Sequence, residues 1–361
     1  MKGKLFFVIS LCLVILLISC ENKRQVYNEL FSGISYNWAT STPEAQGLDS
    51  VLIEQVIAQI DARDDVYSFL VIKNGFLVVE EHYNDRDGNT MDAIYSVTKS
   101  IISASVGIAI EMGFIDSLDQ KLMDFFPEYD DQDLDSLKLD ITVRHLLTMQ
   151  AGFDSEENLI YQMDVAPNMI EGIIKSDLQY DPGTGFLYST HTSHLLSGII
   201  TKITGMNTSN FTQEYLLEPM GVHSYIWAQD QNGIDYGGAG TFFSARDMAR
   251  FGYLYLQDGF LNGQQIVPTD WIDETTQNHR DYIETWGYIG TVGYGFQWWT
   301  GQMGAHPVYL ASGAGGQTIM NIPDLDLVIV AVMDGSTDVN GEHSDFVNTI
   351  INNYIIPAAS P

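Results

Sequence analysis

Apolar residues recur with a helical period in "LDSVLIEQVIAQIDA" (48–62), and Asp49 stands where an N-cap is expected. Two β-rich runs follow in "YSFLVIKNGFLVVEEHY" (67–83), joined by Lys73-Asn74-Gly75. Asn-Gly between apolar runs is a strong signal for a two-residue hairpin turn. The pattern therefore predicts a helix followed by a β-hairpin.

The middle of the chain, from about 92 to 255, has the spacing of helices and loops. Strand-like patterns return near the C-terminus, and an apolar helix in "SDFVNTIINNYII" (344–356) follows them. The predicted strands are "GYGFQWWT" (293–300), "VYLASGAGGQTIMNI" (308–322) and "DLVIVAVMDG" (326–335).

Strands towards both ends with helices between them predict an α+β fold, in which an antiparallel sheet is flanked by helices and a mostly helical lobe is inserted. We expect one domain over residues 41–361. Its α/β lobe is expected at about 41–95 and 256–361, and its helical lobe at about 96–255. A cleft between the lobes is the natural place for a site.

The N-terminus has the pattern of an export signal. Lys2 and Lys4 precede the apolar run "LFFVISLCLVILLIS", whose length of about fifteen residues is short of the ~20 that span a bilayer. The run ends in "LISC", which resembles the lipobox of bacterial lipoproteins, in which the cysteine is lipidated. We expect a signal peptide at 1–19, a lipidated Cys20 on the membrane and a tether at 20–40; an uncleaved membrane anchor is the alternative. Either way, we expect the protein in the bacterial cell envelope.

The formal net charge of −31 narrows the choice of partners. Such a surface repels nucleic acid, so we expect no nucleic-acid partner. We attribute the acidity to solubility, with an acidic binding patch as the alternative. Both cysteines, Cys12 and Cys20, fall in the N-terminal segment, so the body can hold no disulfide, thiolate metal site or cysteine nucleophile.

Lys99 is the only charged residue between Asp92 and Glu111, in a stretch typical of a buried helix. A lone buried ammonium is costly unless it is paired or deprotonated. Ser96 lies three residues earlier, so a helix places both side chains on one face. A neutral amine can accept the proton of a neighbouring hydroxyl, and N–H groups at a helix start favour negative charge on the reacting oxygen. We therefore predict that Lys99 activates Ser96; an incidental surface pair is the alternative.

Tyr188 precedes an apolar helix that we predict to begin near His194. A tyrosine held near a lysine can act as a general base, and an ordinary core tyrosine is the alternative. His191 and His194 have a spacing that zinc can use on a helix, but no third ligand follows in a recognisable arrangement, so we expect no metal. We expect His194 to pack at the helix start and His191 to line the mouth of the cleft. The aromatic cluster "YGFQWW" (294–299) is expected in the core on one face, and its other face is a candidate border of the cleft.

Several segments together resemble the serine hydrolase family of class C β-lactamases, penicillin-binding proteins or DD-peptidases, and related esterases and amidases. The resemblance covers roughly residues 48–356, with its motifs in the family's order. The patterns "YST…HLL" (188–196) and "ASGAGGQ" (311–317) look more like the branch that contains the 6-aminohexanoate-dimer hydrolases. The segments that carry it are "SVTKSIISASVGIAIEMGFI", "ITVRHLLTMQAGFD", "GGAGTFFSARDMARFGYLYLQDG" and "ASGAGGQTIMNIPDLDLVIVAVMDG".

The resemblance implies that Ser96 is the acylated nucleophile, Lys99 its partner in proton transfer and Tyr188 the general base. It also implies an oxyanion hole made by the backbone N–H of Ser96 and a second N–H from the glycine-rich strand end. That strand end contains Gly313, Ala314 and Gly315, and we expect Ala314 to supply the second N–H.

Two departures from the family pattern bear on the substrate. The second motif commonly reads Tyr-x-Asn, but its third position here is Thr190, which we expect to line the substrate site. The third motif of β-lactamases begins with a basic residue that binds the substrate carboxylate, whereas no Lys or Arg follows Arg280 in this chain. A lost charge-assisted hydrogen bond costs about 1.5–3 kcal/mol, so we expect ester or linear-amide hydrolysis ahead of β-lactam hydrolysis.

The sequence thus predicts a serine hydrolase that cleaves a small ester, amide or peptide-like substrate through an acyl-Ser96 intermediate, without metal or other cofactor. A class C-type β-lactamase or DD-peptidase is the alternative enzyme. A penicillin- or peptidoglycan-binding module that acylates without turnover is the alternative from another class of protein.

Overall fold

The computed structural model describes residues 38–131, 134–154, 168–338 and 340–360. The predicted signal peptide, Cys20 and all but the end of the predicted tether lie outside these residues. At that end, Trp38 is buried with its ring against Tyr253, and Thr40 bridges to Leu77. Residues from Trp38 onward form one compact unit, so packed structure begins before residue 41.

The strands in the described residues are β1 (Val66–Lys73), β2 (Phe76–His82), β3 (Met91–Ala93), β4 (Ile226–Trp227), β5 (Thr241–Ser244), β6 (Phe260–Leu261), β7 (Gln264–Gln265), β8 (Arg280–Trp286), β9 (Ile289–Tyr294), β10 (Trp299–Met303), β11 (His306–Gly313), β12 (Gln317–Ile322) and β13 (Leu327–Met333). Eight of them form one antiparallel sheet in the order β2-β1-β13-β12-β11-β10-β9-β8. Short strands β3, β4 and β5 form a second sheet, and β6 pairs with β7.

The helices lie mainly between β3 and β8 and at the C-terminus, which confirms the predicted α+β architecture of an antiparallel sheet with flanking helices. None of those in the described ranges is both long and apolar enough to cross a membrane. They are α1 (Ser50–Asp61), α2 (Thr98–Glu111), α3 (Leu122–Phe125), α4 (Val143–Leu147), α5 (Met169–Lys175), α6 (Thr190–Thr204), α7 (Thr208–Thr212), α8 (Glu218–Met220), α9 (Ala245–Leu256), α10 (Thr269–Thr276), α11 (Glu342–Ile350) and α12 (Ile356–Ala359), with π-helical turns at Gln213–Leu217 and Ile351–Ile355.

The helix cap and the hairpin turn predicted near the start of the domain are both present in the structure. The Asp49 carboxylate accepts hydrogen bonds from the N–H groups of Val51 and Leu52 and so caps α1. The β1–β2 hairpin turns at Asn74 and Gly75, whose φ angles are 52° and 78°. Positive φ at both central positions is what a type I′ turn requires, and Asn-Gly provides it at low cost.

The large sheet has a hydrophobic core on each face, which explains why β12 and β13 are buried along their whole length. Helix α1 and the C-terminal helices pack on one face. Helix α9 packs on the other, and its Gly252 allows a close approach: a Cβ there would lie 2.6 Å from methyl groups of Ile319 and Val328. The chain therefore returns to the sheet with α9, which ends at Leu256, close to the predicted end of the helical lobe at about 255.

Candidate active site

Lys99 is buried in the first turn of α2, with only 1% of its surface exposed. Its Nζ donates hydrogen bonds to Ser96 Oγ at 2.9 Å, Thr190 Oγ1 at 2.9 Å and the carbonyl oxygen of Gly238 at 2.8 Å. The predicted pairing of Lys99 with Ser96 is therefore present in the structure. These contacts give a buried amino group the acceptors that offset its loss of water.

Ser96 lies in a 3₁₀ turn (Tyr95–Val97) that runs directly into α2, and it is half-buried. The preceding residue, Tyr95, has a φ of 46°, a left-handed conformation that is uncommon for a bulky side chain. The hydroxyl of Thr98 holds this turn by donating to the Tyr95 carbonyl oxygen at 2.6 Å. Backbone strain of this kind is often found at functional sites, where the surrounding structure maintains it.

Thr190 is the first residue of α6, and Ser189 caps the helix by accepting from the N–H of Thr192. The helix thus begins at Thr190, four residues before the start near His194 that the apolar pattern predicts. The serine cap fixes the earlier start. Thr190 is predicted from the sequence to line the substrate site. In the structure its hydroxyl also accepts a hydrogen bond from Lys99, so the second motif contributes to holding the lysine.

Tyr188 comes just before the cap of α6, and its ring centroid lies 4.8 Å from Lys99 Nζ. This ring stacks on Trp299 at a centroid distance of 5.4 Å and meets Tyr294 edge-on at 6.0 Å. Burial raises the pKa of Tyr294 well above its ordinary value, so that phenol stays neutral. Tyr188 is only half-buried, and the structure brings its ring beside Lys99 of the Ser96–Lys99 pair.

The two tryptophans of the "YGFQWW" cluster (294–299) lie in different places, one in the core and one at the site. This agrees with the two faces that the sequence predicts for the cluster. Trp298 is fully buried against Tyr255 and Phe251. Trp299 points the other way, to Tyr188. The adjacent positions separate because successive side chains at a strand start point to opposite faces.

The glycine-rich end of β11 lies against the turn that carries Ser96. A Cβ on Gly313 would lie 2.4 Å from the Ile94 carbonyl oxygen and 3.2 Å from the Ser96 nitrogen, so only glycine fits there. Ala314 follows and is exposed, and Gly315, with a φ of 77°, packs on Gly335. The structure therefore brings Gly313 of the predicted oxyanion segment next to the Ser96 N–H.

The strand beside the site carries no lysine or arginine. Strand β11 ends in Ala311-Ser312-Gly313, with Ala311 buried and Ser312 half-buried. A substrate carboxylate at this strand would find a hydroxyl and backbone N–H groups in place of an ammonium or guanidinium.

Two contributions to the site went undetected in the sequence. One is the Gly238 carbonyl, which a pattern of side chains cannot reveal. The other is Gln297, buried at a φ of 62°, whose side chain accepts from Ser193 Oγ at 2.6 Å and donates to the Leu147 carbonyl oxygen at 2.9 Å. Its own carbonyl accepts from Ser100, next to Lys99. Gln297 thereby connects α2, α4 and α6. The one sequence feature that could have indicated this role is a polar residue placed among the aromatic residues of "YGFQWW".

The two histidines of α6 are both buried, and neither lies at an open surface. His194 pairs with Asp230. His191 does not line the mouth of the cleft as expected, because it is only 1% exposed. Burial, together with the nearby His194 and Lys99, lowers the pKa of His191 to about 4. This imidazole is therefore neutral at pH 7.

The family model for beta-lactamase matches residues 53–349. The chain therefore belongs to the beta-lactamase family, whose members are hydrolases.

Individual relatives agree with this assignment. The 6-aminohexanoate-dimer hydrolase of Paenarthrobacter ureafaciens is 27% identical over 291 residues, which cover 73% of this chain and 71% of the relative. Among solved structures, an octameric penicillin-binding protein homologue from Pyrococcus abyssi matches with a TM-score of 0.65 at 20% identity, covering 84% of this chain and 77% of the other. A D-amino acid amidase from Ochrobactrum anthropi SV3 matches with a TM-score of 0.65 at 18% identity, covering 84% and 99%. The two structural matches establish the shared fold.

The buried neutral His191 makes stability depend on pH. Its pKa of about 4 lies below the ordinary value near 6.5, so the unfolded chain binds this proton first and stability is lost as pH falls from about 6.5 to 4. In His191→Gln we expect a flatter dependence, with the difference reaching about 2–3 kcal/mol at pH 4. Urea unfolding of both proteins at pH 7, 5.5 and 4 measures it. Parallel curves for the two proteins would contradict the prediction.

Proposed function

We propose that the protein is a serine hydrolase that cleaves an ester or amide bond through an acyl-Ser96 intermediate. The observation that carries the proposal is the buried Lys99, whose Nζ lies 2.9 Å from the Ser96 oxygen. A half-buried hydroxyl beside a buried amine is the arrangement of an activated nucleophile and its base.

The proton route follows from the contacts of Lys99. When the amine is neutral, its lone pair can accept the Ser96 proton while its N–H groups donate to Thr190 Oγ1 and the Gly238 carbonyl. Ser96 Oγ then bonds to the substrate carbonyl carbon, and the proton passes by way of Lys99 and Tyr188 to the leaving alcohol or amine. A water molecule attacks the acyl-enzyme in the second half, with Tyr188 as general base, and Ser96 recovers its proton.

Oxyanion stabilisation is assigned to backbone N–H groups. Ser96 N lies at the start of α2, where helix N–H groups favour negative charge. Gly313 packs against it, and the next residue, exposed Ala314, is proposed to supply the second N–H.

The proposed substrates are neutral esters and open-chain amides. Strand β11 offers no cation for the carboxylate of a β-lactam, and Thr190 engages Lys99 where the family commonly has asparagine. The relative named for hydrolysis of a 6-aminohexanoate dimer, a linear amide, supports the open-chain amide as a substrate class. A β-lactamase or DD-peptidase is the second candidate, which the penicillin-binding protein homologue favours at the level of fold. A module that acylates without turnover is the third.

We further propose that Cys20 is lipidated and anchors the protein in the bacterial cell envelope. The support is the sequence pattern of basic residues, a short apolar run and "LISC". Two or more acyl chains are sufficient for stable anchoring.

Removing the nucleophile or its base tests the mechanism. Ser96→Ala should abolish turnover of a short-chain p-nitrophenyl ester, because no acyl-enzyme can form. Lys99→Met keeps the volume of the chain but removes the amine, and we expect kcat to fall by at least ~10²-fold. Steady-state kinetics of the full chain measure both effects, and circular dichroism checks folding. Persistent activity in Ser96→Ala would refute the nucleophile assignment.

Substrate preference is tested with the same full-length protein on a p-nitrophenyl ester, a linear anilide and a chromogenic cephalosporin. We expect the cephalosporin to lose roughly tenfold to a hundredfold in kcat/KM relative to the neutral substrates, because no cation receives its carboxylate. Fast cephalosporin turnover would favour the β-lactamase alternative. A stoichiometric burst without steady state would favour the non-turnover module.

Anchoring is tested by expressing the chain and its Cys20→Ser variant in a bacterial host fed radiolabelled palmitate. We expect label and membrane fractionation for the parent, and neither label nor cleavage before residue 20 for the variant. Cys12→Ser is the matched control and should behave as the parent. An unlabelled parent chain would contradict lipidation.

A further inference from the structure

The carbonyl of Gly238 that holds Lys99 belongs to a loop pressed against the first turn of α6. A Cβ on Gly237 would lie 2.2 Å from the Ser193 carbonyl oxygen, and one on Gly238 would lie 2.5 Å from the Thr190 methyl group. This loop therefore has room only for glycine. Two adjacent glycines also leave the backbone easily displaced, so something else must fix where the Gly238 carbonyl points.

His194 supplies that attachment. Its ring is completely buried, and its Nδ1 lies 3.3 Å from the Gly237 nitrogen, which has a proton to donate. Nδ1 must therefore be the unprotonated nitrogen of the ring. The remaining proton sits on Nε2, which donates to Asp230 Oδ2 at 3.2 Å. The two contacts together specify one tautomer.

Asp230 is anchored as an acceptor. Its Oδ1 accepts from the backbone N–H groups of Asn232 at 2.8 Å and Ile234 at 2.9 Å. Burial alone would raise the pKa of this carboxyl, but the hydrogen bonds from His194, Ile234 and Asn232 outweigh it and hold the pKa below its usual range. A carboxylate has no proton to give, so it selects Nε2–H on His194.

We propose that Asp230 and His194 form a positioning pair for the catalytic lysine. Asp230 sets the tautomer of His194, His194 Nδ1 holds the Gly237 N–H, and the adjoining Gly238 carbonyl is thereby aimed at Lys99 Nζ. Thr190, one turn before His194 on α6, holds the same amine directly, so the first two turns of α6 orient Lys99 by two routes.

This inference rests on the proposed function, in which Lys99 moves the Ser96 proton. The pair itself lies away from substrate: His194 is enclosed by Asp230, the Gly237 N–H and the ring of Tyr236, 5.6 Å away. Its effect is therefore expected on kcat, since displacing the lysine impairs proton transfer while leaving the substrate surface intact.

Asp230→Asn is the sharpest test because it keeps the side-chain shape. The amide oxygen can still accept from the Asn232 and Ile234 N–H groups, but the amide nitrogen now donates towards His194 Nε2. The imidazole must then carry its proton on Nδ1, where it faces the Gly237 N–H, and the link to the loop is lost. We expect kcat on the p-nitrophenyl ester to fall about 10- to 100-fold with KM within about threefold.

Variants of His194 test whether an acceptor for the Gly237 N–H is enough to maintain kcat. The amide oxygen of His194→Asn can stand in for Nδ1 and accept from Gly237, so we expect kcat within about fivefold of the parent. His194→Leu has no acceptor and should match Asp230→Asn. The double variant His194→Asn with Asp230→Asn should have nearly the same kcat as His194→Asn alone, because asparagine has no tautomers that residue 230 could select.

Asp235→Asn is the matched control in the same loop. Asp235 is buried and accepts from Ser209 N–H and Gln229 Nε2, so the change removes a carboxylate there without touching His194. We expect lower stability but unchanged kcat. A loss of kcat equal to that of Asp230→Asn would overturn the proposal, since general damage to the loop would then explain both.

The ¹⁵N chemical shifts of histidine rings in the labelled full chain provide a readout independent of turnover. We expect Nε2–H on His194 in the parent and Nδ1–H in Asp230→Asn, with the resonances assigned by their loss in His194→Asn. If Ser96→Ala retains activity, the proposed function fails, whatever the tautomer. If Ser96→Ala is inactive and the tautomer reverses while kcat stays unchanged, the positioning role is refuted. An Nδ1–H tautomer in the parent would also refute it.

Discussion

Burial of the Lys99 amino group is the constraint on which the arrangement of the site depends. A cationic or amine nitrogen at 1% exposure needs protein acceptors in place of water, and each acceptor must come from a segment held at a fixed position. Ser96 comes from the same turn, Thr190 from the start of α6 and Gly238 from a loop before β5. Satisfying one nitrogen therefore requires three separate parts of the chain to meet.

The surrounding fold keeps those parts together with buried polar contacts. Gln297 bonds to α2, α4 and α6 at once, in a left-handed conformation that only a well-determined environment maintains. His194 connects α6 to the loop of Gly237. Buried hydrogen bonds of this kind fix positions more strictly than apolar packing does, because a donor left without an acceptor is costly.

The chemical character of the site contrasts with that of the chain as a whole. The protein carries a formal net charge of −31, yet the reactive centre is lined by hydroxyls, backbone groups and the rings of Tyr188 and Trp299. Strand β11 carries no lysine or arginine, so a substrate group at this strand meets hydrogen-bonding and apolar groups. The proposed preference for neutral esters and amides rests on this feature, because an anion gains most from a charged partner.

The sequence by itself determined the features that depend on neighbouring residues. The Asp49 cap, the Asn74-Gly75 turn and the pairing of Ser96 with Lys99 all act within a few residues, so their patterns were sufficient. The order of motifs also identified the family. The start of α6 was misplaced because the cap at Ser189 outweighed the apolar period.

Only the tertiary structure decided which distant groups complete the site. It placed the Thr190 hydroxyl on the lysine, buried His191, and supplied the Gly238 carbonyl and the Gln297 junction. It also brought Gly252 of α9 into close contact with Ile319 of the sheet. Backbone carbonyls are the same in every residue, and contacts between positions far apart in the chain leave no local spacing to detect. Their positions follow from packing of the whole chain.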